Sequence, residues 1–135
     1  MQRDSQPTNE RTRHDYHRAM TVIDCVFCKI IAGEIPGDFV HNDDLVVAIR
    51  DINPKAPTHL LLIPREHIKS VAQLREEHGL MLGRLFAVAS KLASDAGVVD
   101  SGFRVVTNAG AGAGQSVDHL HFHLLGGRNM SWPPG

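Results

Sequence analysis

Apolar and polar positions alternate with two different periods along this chain, and these periods outline its elements. Short apolar runs bounded by turn residues predict five strands, at 39–41, 45–49, 58–63, 102–108 and 117–125. A short helix that begins at Cys25 is expected to end at Gly33, because Pro36 blocks its continuation. The chain is therefore expected to combine a sheet with helices.

The segment from Ser70 to Ala96 is predicted to be the main helical region. Its apolar residues fall at helical spacing on one stripe that faces the core: Leu82, Leu85, Phe86, Ala89 and Leu92. Gly97 is expected to end this helix. Strands with one long helix over one face predict an α+β fold with a mainly antiparallel sheet.

The length of 135 residues, 42% of them hydrophobic, suits one domain with its own core. Residues 1–20 are polar and without periodicity, so we expect a tail there and a single domain over 21–135. No run approaches the roughly 20 apolar residues of a membrane helix, and the N-terminus lacks the apolar core of a signal peptide. The protein is expected in the cytoplasm.

A formal net charge of −1 gives no reason to expect nucleic acid or an anionic membrane as a general partner. An anionic ligand would have to be met by a local site. The candidate for such a site is a histidine-rich strand near the C-terminus.

His119, His121 and His123 alternate with apolar residues in that strand. Alternation at period two predicts that the three imidazoles project from one face, about 6.6 to 6.8 Å apart from one to the next. Three grouped titratable rings disfavour one another's charged forms, which is typical of functional sites and costs stability. The spacing suits a phosphate better than a tight metal cage.

A glycine-rich loop, Gly110 to Ser116, lies directly upstream of the histidines. Its glycines allow backbone N–H groups to approach an oxyanion, and the Ser116 hydroxyl adds a donor. Alone, the glycines indicate a flexible hairpin loop, since they match neither of the common phosphate-loop spacings. Beside three histidines, anion binding is favoured.

The two cysteines, Cys25 and Cys28, are expected as thiols in a cytoplasmic protein. Their spacing is compatible with either a redox pair or a zinc site, and the thioredoxin-like βαβ pattern that usually accompanies a redox pair is absent from the sequence.

Taken together, these residues resemble the histidine triad (HIT) family, and its Hint branch in particular. The motif His-x-His-x-His-x-x with apolar x is matched by residues 119–125. Further matches extend from Cys25 to the C-terminus: Glu34-Ile-Pro, Asp51-Ile-Asn-Pro, Ala56-Pro-Thr-His-Leu, Ile63-Pro-Arg-Glu-His-Ile, Gly114-Gln-Ser-Val, Leu125-Gly-Gly-Arg and Trp132-Pro-Pro-Gly.

The resemblance implies a HIT-like fold, a homodimer, and hydrolysis of purine nucleoside 5′-monophosphoramidates with release of AMP. The expected intermediate is a nucleotidyl-histidine, because an imidazole is a nucleophile when neutral and a good leaving group once phosphorylated. No cofactor is implied for catalysis. Similar triads also support dinucleoside polyphosphate hydrolysis or nucleotidyl transfer, and a nucleotide-binding interaction protein with incidental catalysis is the alternative from another class.

The same resemblance assigns unequal roles to the histidines. His121 matches the nucleophile, and His123 matches the residue that contacts the α-phosphate and helps the leaving group depart. His59 and His119 match residues that orient the surroundings of the nucleophile.

Contacts to the nucleotide are implied for a second set of residues. Asp51 matches the carboxylate that accepts the ribose hydroxyls. The phosphate side and leaving group would be contacted by Asn108, Gly114, Gln115 and Ser116. The slot for the base would be formed by Phe27, Ile30, Ile49 and Ile52, for which plain core packing is an equally good explanation from the residues alone. Trp132 belongs to a tail that lies near the partner subunit's site in the Hint branch.

Zinc is implied by the bacterial relatives that contain it. In those relatives the ligands correspond to Cys25, Cys28, His67 and His119, a sensible tetrahedral set for a structural metal. The alternative is a pair of buried thiols, with His67 at the start of a helix.

Overall fold

The computed structural model describes residues 24–135. The chain divides into two compact units, Met1–Pro36 and Gly37–Gly135, and each is described by itself. The predicted tail at 1–20 lies outside the described residues, and the predicted single domain over 21–135 stays a prediction.

The first unit contains the short helix α1, Val26–Ile31. Cys25 is its N-cap, and the Cys25 Sγ accepts a hydrogen bond from the Cys28 backbone N–H at 3.3 Å. The helix ends at Ala32, after which Gly33 adopts a φ of 81°, a left-handed conformation that favours glycine. The predicted helix and its end at Gly33 are confirmed.

The second unit is built on a five-stranded antiparallel sheet. Its strands are β1 (Phe39–Asn42), β2 (Val46–Arg50), β3 (Thr58–Pro64), β4 (Phe103–Val106) and β5 (Phe122–Gly126). They are arranged in the order β1-β2-β3-β5-β4, and every neighbouring pair is antiparallel. The predicted α+β class is confirmed, and β5 occupies a central position between β3 and β4.

The helix α2, Gly79–Asp95, packs against the sheet through six buried residues: Met81, Leu85, Val88, Ala89, Leu92 and Ala93. The predicted stripe was partly wrong, because Leu82 is half-buried and Phe86 is 48% exposed. Gly97, with a φ of 71°, follows the helix as predicted. The facing side chains of the sheet complete the core: Val46, Ala48, Leu60, Leu62, Phe122 and Leu124.

The predicted helix is too long at its beginning, because residues 70–78 form two separate 3-10 turns, Val71–Gln73 and Glu76–His78. The Ser70 hydroxyl accepts from the Ala72 N–H, and the His78 Nδ1 accepts from the Arg75 N–H. Such local side-chain bonds compete with continuous helix. Helix α2 therefore begins only at Gly79.

The histidine strand begins later than predicted, at Phe122 instead of 117. Backbone groups ahead of it bond outside the sheet: the Leu120 N–H donates to the Ile68 carbonyl, and the Thr107 hydroxyl donates to the His121 carbonyl. Of the three histidines, only His123 lies within a paired strand, opposite Leu61. The prediction of one regular strand face bearing three imidazoles is therefore wrong.

Alternation along the paired strands separates the core from the chemistry. Leu60 and Leu124 point to α2, so their neighbours His59 and His123 point to the opposite face of the sheet. Within residues 24–135, no helix has the length and apolar character that crossing a membrane requires.

Candidate active site

His121 is fixed in one tautomer by the backbone two residues before it. Its Nδ1 lies 2.7 Å from the His119 carbonyl oxygen, and the ring is 7% exposed. Because a carbonyl only accepts hydrogen bonds, Nδ1 carries the proton and the lone pair of the neutral ring is on Nε2. The geometry therefore leaves Nε2 of His121 unprotonated in the neutral ring.

His59 and His123 are joined by a chain of hydrogen bonds that also fixes both tautomers. The Lys55 backbone N–H donates to His59 Nδ1 at 3.0 Å, so the proton of neutral His59 is on Nε2. That Nε2 lies 2.9 Å from His123 Nδ1 and 3.3 Å from an Asp51 carboxylate oxygen. His123 Nδ1 accepts the proton of His59, which leaves the proton of His123 on Nε2.

The electrostatics of this pair favour neutral rings. Burial lowers the pKa of His59, with Asp51 acting in the opposite direction and the Lys55 charge lowering it further. Burial also lowers the pKa of His123, helped by the neighbouring rings of His121 and His59. Both imidazoles are therefore neutral hydrogen-bonding groups at pH 7.

His119 lies in a separate pair. It is fully buried, and its Nε2 donates to the Pro64 carbonyl at 2.8 Å, which leaves the lone pair on Nδ1. Its ring meets His67 edge to face, with centroids 4.8 Å apart. Burial, with the charges of His67 and His121, lowers the pKa of His119 to about 4. The triad is thus divided, with His121 and His123 side by side at 5.2 Å and His119 beside His67.

The two cysteines of the first unit are thiols. Cys25 is buried and Cys28 is half-buried. Burial and the neighbouring Cys25 raise the pKa of Cys28 to about 12. Zn²⁺ prefers sulfur and imidazole nitrogen as ligands. The first unit offers the sulfurs of Cys25 and Cys28, and the second unit offers the rings of His67 and His119.

Most backbone N–H groups of the glycine-rich loop that were predicted to bind an anion form hydrogen bonds within the loop. The N–H groups of Ala113, Gly114 and Gln115 all donate to carbonyls within the loop. The Gln115 side chain is buried, donates to the Lys69 and Val117 carbonyls, and accepts from the Gly110 N–H. The amides of Gly114 and Gln115 are therefore engaged by the loop, and the exposed Ser116 presents a hydroxyl to solvent.

The other predicted nucleotide contacts are placed as follows. The Asp51 carboxylate accepts a hydrogen bond from the Asn53 N–H at 2.8 Å and faces His59. Asn108 lines a cavity together with His59 and His123. Ile52 is 99% exposed, which removes core packing as its explanation. Phe27, Ile30 and Ile49 are buried, and Trp132 is 82% exposed. Their contacts to a ligand stay predictions.

The cavity beside the two histidines has a volume of about 340 Å³. Its walls include three basic residues that sequence reasoning did not assign to the site: Lys55, Arg104 and Arg128. They come from a loop, an edge strand and the C-terminal segment. Of the three, only Arg128 could have been found from the sequence, because it belongs to the Leu125-Gly-Gly-Arg motif.

Comparison with known proteins agrees with this geometry. Residues 24–132 match the family model described as "Scavenger mRNA decapping enzyme C-term binding". The chain is 49% identical over 105 residues to a purine nucleoside phosphoramidase of Escherichia coli K12, which covers 78% of this chain and 88% of that protein. It is 50% identical over 112 residues to a 14 kDa zinc-binding protein of Zea mays, covering 82% and 87%.

Solved structures show the same similarity. A HIT family hydrolase from Legionella pneumophila Philadelphia 1 superposes with a TM-score of 0.81 at 47% identity, covering 83% of this chain and all of that one. A HIT family hydrolase from Clostridium thermocellum gives a TM-score of 0.78 at 48% identity, covering 80% and 94%.

Proposed function

Because the chain belongs to the histidine triad family and is a hydrolase that acts on nucleotide phosphorus, we propose that it cleaves purine nucleoside 5′-monophosphoramidates. The observation that carries the proposal is the 2.7 Å hydrogen bond from His121 Nδ1 to the His119 carbonyl. This bond leaves Nε2 of His121 as the nucleophilic atom. The E. coli relative that is named for this activity supports the substrate class.

The reaction proceeds through two displacements at phosphorus. The Nε2 lone pair of His121 attacks the α-phosphorus, a bond from nitrogen to phosphorus forms, and the bond from phosphorus to the amine breaks as the amine nitrogen takes a proton from solvent, to which the later hydrolysis step returns one. A water oxygen then attacks the same phosphorus, and the bond to Nε2 breaks. One water is consumed: its oxygen and one hydrogen end on AMP, and its other hydrogen ends on the amine.

Six groups act around the nucleophile. The His119 carbonyl accepts a stronger hydrogen bond when His121 becomes positively charged, which stabilises the intermediate. The Nε2–H of His123 donates a hydrogen bond to a phosphoryl oxygen, and the hydrogen bond from His59 keeps the proton of His123 on Nε2. Asp51 binds the ribose hydroxyls, and the phosphate side is contacted by Asn108, which lines the cavity with His123, and by the exposed Ser116.

The test is AMP release from adenosine 5′-monophosphoramidate by the wild type and by His121→Asn. We expect loss of nearly all turnover in the variant with its fold and AMP binding intact. His78→Asn is the matched control, since His78 lies at the start of α2 outside the site. Comparable turnover in His121→Asn would contradict the mechanism, and faster release from diadenosine polyphosphates than from phosphoramidates would favour the alternative activity.

Structural zinc is the second part of the proposal. The proposed ligands are the sulfurs of Cys25 and Cys28 and one ring nitrogen each of His67 and His119, and the bond from His119 Nε2 to the Pro64 carbonyl leaves Nδ1 as its ligand atom. Zinc bound there would stabilise the fold, and no step of the reaction uses it. We expect one zinc per chain in wild type and in His121→Asn, and loss of zinc in Cys28→Ala.

A homodimer is the third part. Strand β4 lies at the edge of the sheet, pairs on one side with β5, and carries Phe103, which is 38% exposed. Such an edge is a template for pairing with another chain. Sedimentation equilibrium should give the mass of two chains for the wild type and a smaller mass for Phe103→Glu. The cytoplasmic location and the lack of nucleic acid or membrane partners stay predictions.

A further inference from the structure

The cavity beside His123 has a strongly cationic wall. Lys55, Arg104 and Arg128 all line it, and none of its lining residues is acidic: the others are His59, Val106, Asn108, His123, Leu125, Met130, Ser131 and Pro134. Arg104 and Arg128 also line an adjoining cavity of about 310 Å³. The first of these cavities offers room for a group next to the phosphate-contacting histidine.

These three charges are not neutralised within the part of the chain that the structure describes. Arg128 donates to the Lys55 and Asn129 carbonyls at 2.8 and 3.1 Å, Arg104 donates to the Ser131 carbonyl at 3.0 Å, and Lys55 Nζ lies 3.4 Å from the Asn53 carbonyl. All of these acceptors are uncharged backbone oxygens.

Several basic residues elsewhere do face carboxylates. Arg50 lies 3.1 Å from Asp38, and Lys91 lies 2.9 Å from Asp95. The contrast matters because bonds to carbonyls position a side chain without cancelling its charge. The positive potential at the cavity is therefore available to a ligand.

The place of this cavity relative to the nucleotide identifies which part of a substrate enters it. Asp51, the proposed ribose ligand, does not line it but lines a different cavity, of about 650 Å³, to which His59 also contributes. His59 contributes to both cavities, whereas His123, the proposed phosphate contact, lines only the cationic one, which therefore lies at the phosphate. The group on the far side of the phosphorus from the nucleoside is the leaving group.

We propose that the cationic cavity binds the leaving group and that Lys55, with Arg104 and Arg128, selects leaving groups that carry an anionic group. The inference rests on the proposed function and specifies its substrate class. A carboxylate or a further phosphate would satisfy the same three cations. Arg128 anchors the Lys55 backbone, so Lys55 is the member whose side chain is changed with least effect on the architecture.

The experiment compares kcat/KM for three AMP conjugates: the phosphoramidate of glycine with a free carboxylate, the phosphoramidate of glycinamide, and diadenosine tetraphosphate. They are assayed with wild type, Lys55→Gln and Lys55→Glu. Lys91→Gln is the control, because Lys91 is an exposed lysine of α2 and should leave all three rates unchanged. Circular dichroism and AMP binding verify the fold of each variant.

We expect wild type to prefer glycine to glycinamide, and Lys55→Gln to reduce that ratio about tenfold, as the loss of one charged hydrogen bond would. Lys55→Glu should reduce it further, and added salt should weaken the preference in wild type. A lysine-dependent preference confined to the tetraphosphate would identify phosphate as the recognised anion, and one confined to glycine would identify a carboxylate.

Equal ratios in wild type and Lys55→Gln on both anionic conjugates would overturn the inference while leaving the hydrolase proposal intact. Failure to release AMP from any of the three conjugates, or from the simple phosphoramidate, would instead count against the proposed function.

Discussion

His59 Nε2 lies 2.9 Å from His123 Nδ1, and the proton between them belongs to His59 because the Lys55 backbone N–H occupies its other ring nitrogen. One backbone donor in the loop after β2 thereby sets the tautomers of two imidazoles on adjacent strands, β3 and β5. The proton of His123 is left on Nε2, where a phosphoryl oxygen can accept it.

Removal of the His59 ring should release this constraint. In His59→Ala, His123 loses the donor to its Nδ1 and populates both tautomers, so kcat/KM should fall about tenfold, the effect of one hydrogen bond of roughly 1.4 kcal/mol. Nitrogen-15 spectra of wild type should show protonated Nε2 on His59 and His123 and protonated Nδ1 on His121. Protonated Nδ1 on His59 or His123 in wild type would contradict the assignment.

Gln115 should contribute more to stability than its place in a glycine loop indicates. Its amide satisfies the Gly110 N–H and two carbonyls. Gln115→Ala leaves these groups without partners and should lower the free energy of unfolding by about 2 kcal/mol in urea titrations. Gln73→Ala is the matched control, since Gln73 is exposed and its side chain accepts one hydrogen bond, from the Ser70 hydroxyl, in place of the three that Gln115 makes. Equal losses in the two variants would show that the loop does not depend on this side chain.

Asp43 gives a stability difference whose pH dependence has a definite sign. Burial opposes ionisation, but hydrogen bonds from His41, the Leu45 and Val46 N–H groups and Arg84 hold the pKa of Asp43 below its usual 3.8. The contribution of a carboxyl with a lowered pKa is present above the unfolded value and is lost as the pH falls toward the folded value.

Asp43→Asn should therefore lower the free energy of unfolding by about 1–2 kcal/mol at pH 7, and the gap to wild type should shrink as the pH falls below 4. Asp44→Asn is the control, because Asp44 is 85% exposed and makes one long contact with Arg84. A gap that stays constant down to pH 2 would contradict the role of the ionised carboxylate.

Sequence pattern located most of the elements because their signals are local. Gly33 and Gly97 end their helices as predicted, and the strands around the Asn42 turn lie within a residue or two of expectation. The beginning of β5 was not predictable, because it depends on two hydrogen bonds between segments distant in sequence. The Leu120 N–H donates to the Ile68 carbonyl, and the Thr107 hydroxyl donates to the His121 carbonyl.

The site shows the same division between local and distant signals. The histidines were found from their spacing, and their tautomers could be assigned only once carbonyl and N–H partners were placed. Lys55, Arg104 and Arg128 were missed because they are separated by more than 20 residues in sequence and meet only at the cavity wall.

The central claim, a nucleotidyl intermediate on His121, is tested most directly by the stereochemistry at phosphorus. An adenosine 5′-phosphoramidothioate of one configuration is hydrolysed in oxygen-18 water, and the configuration of the labelled thiophosphate product is determined. Two successive displacements, the first by His121 Nε2 and the second by water, predict retention of configuration. Inversion would show a single displacement by water and would contradict the account.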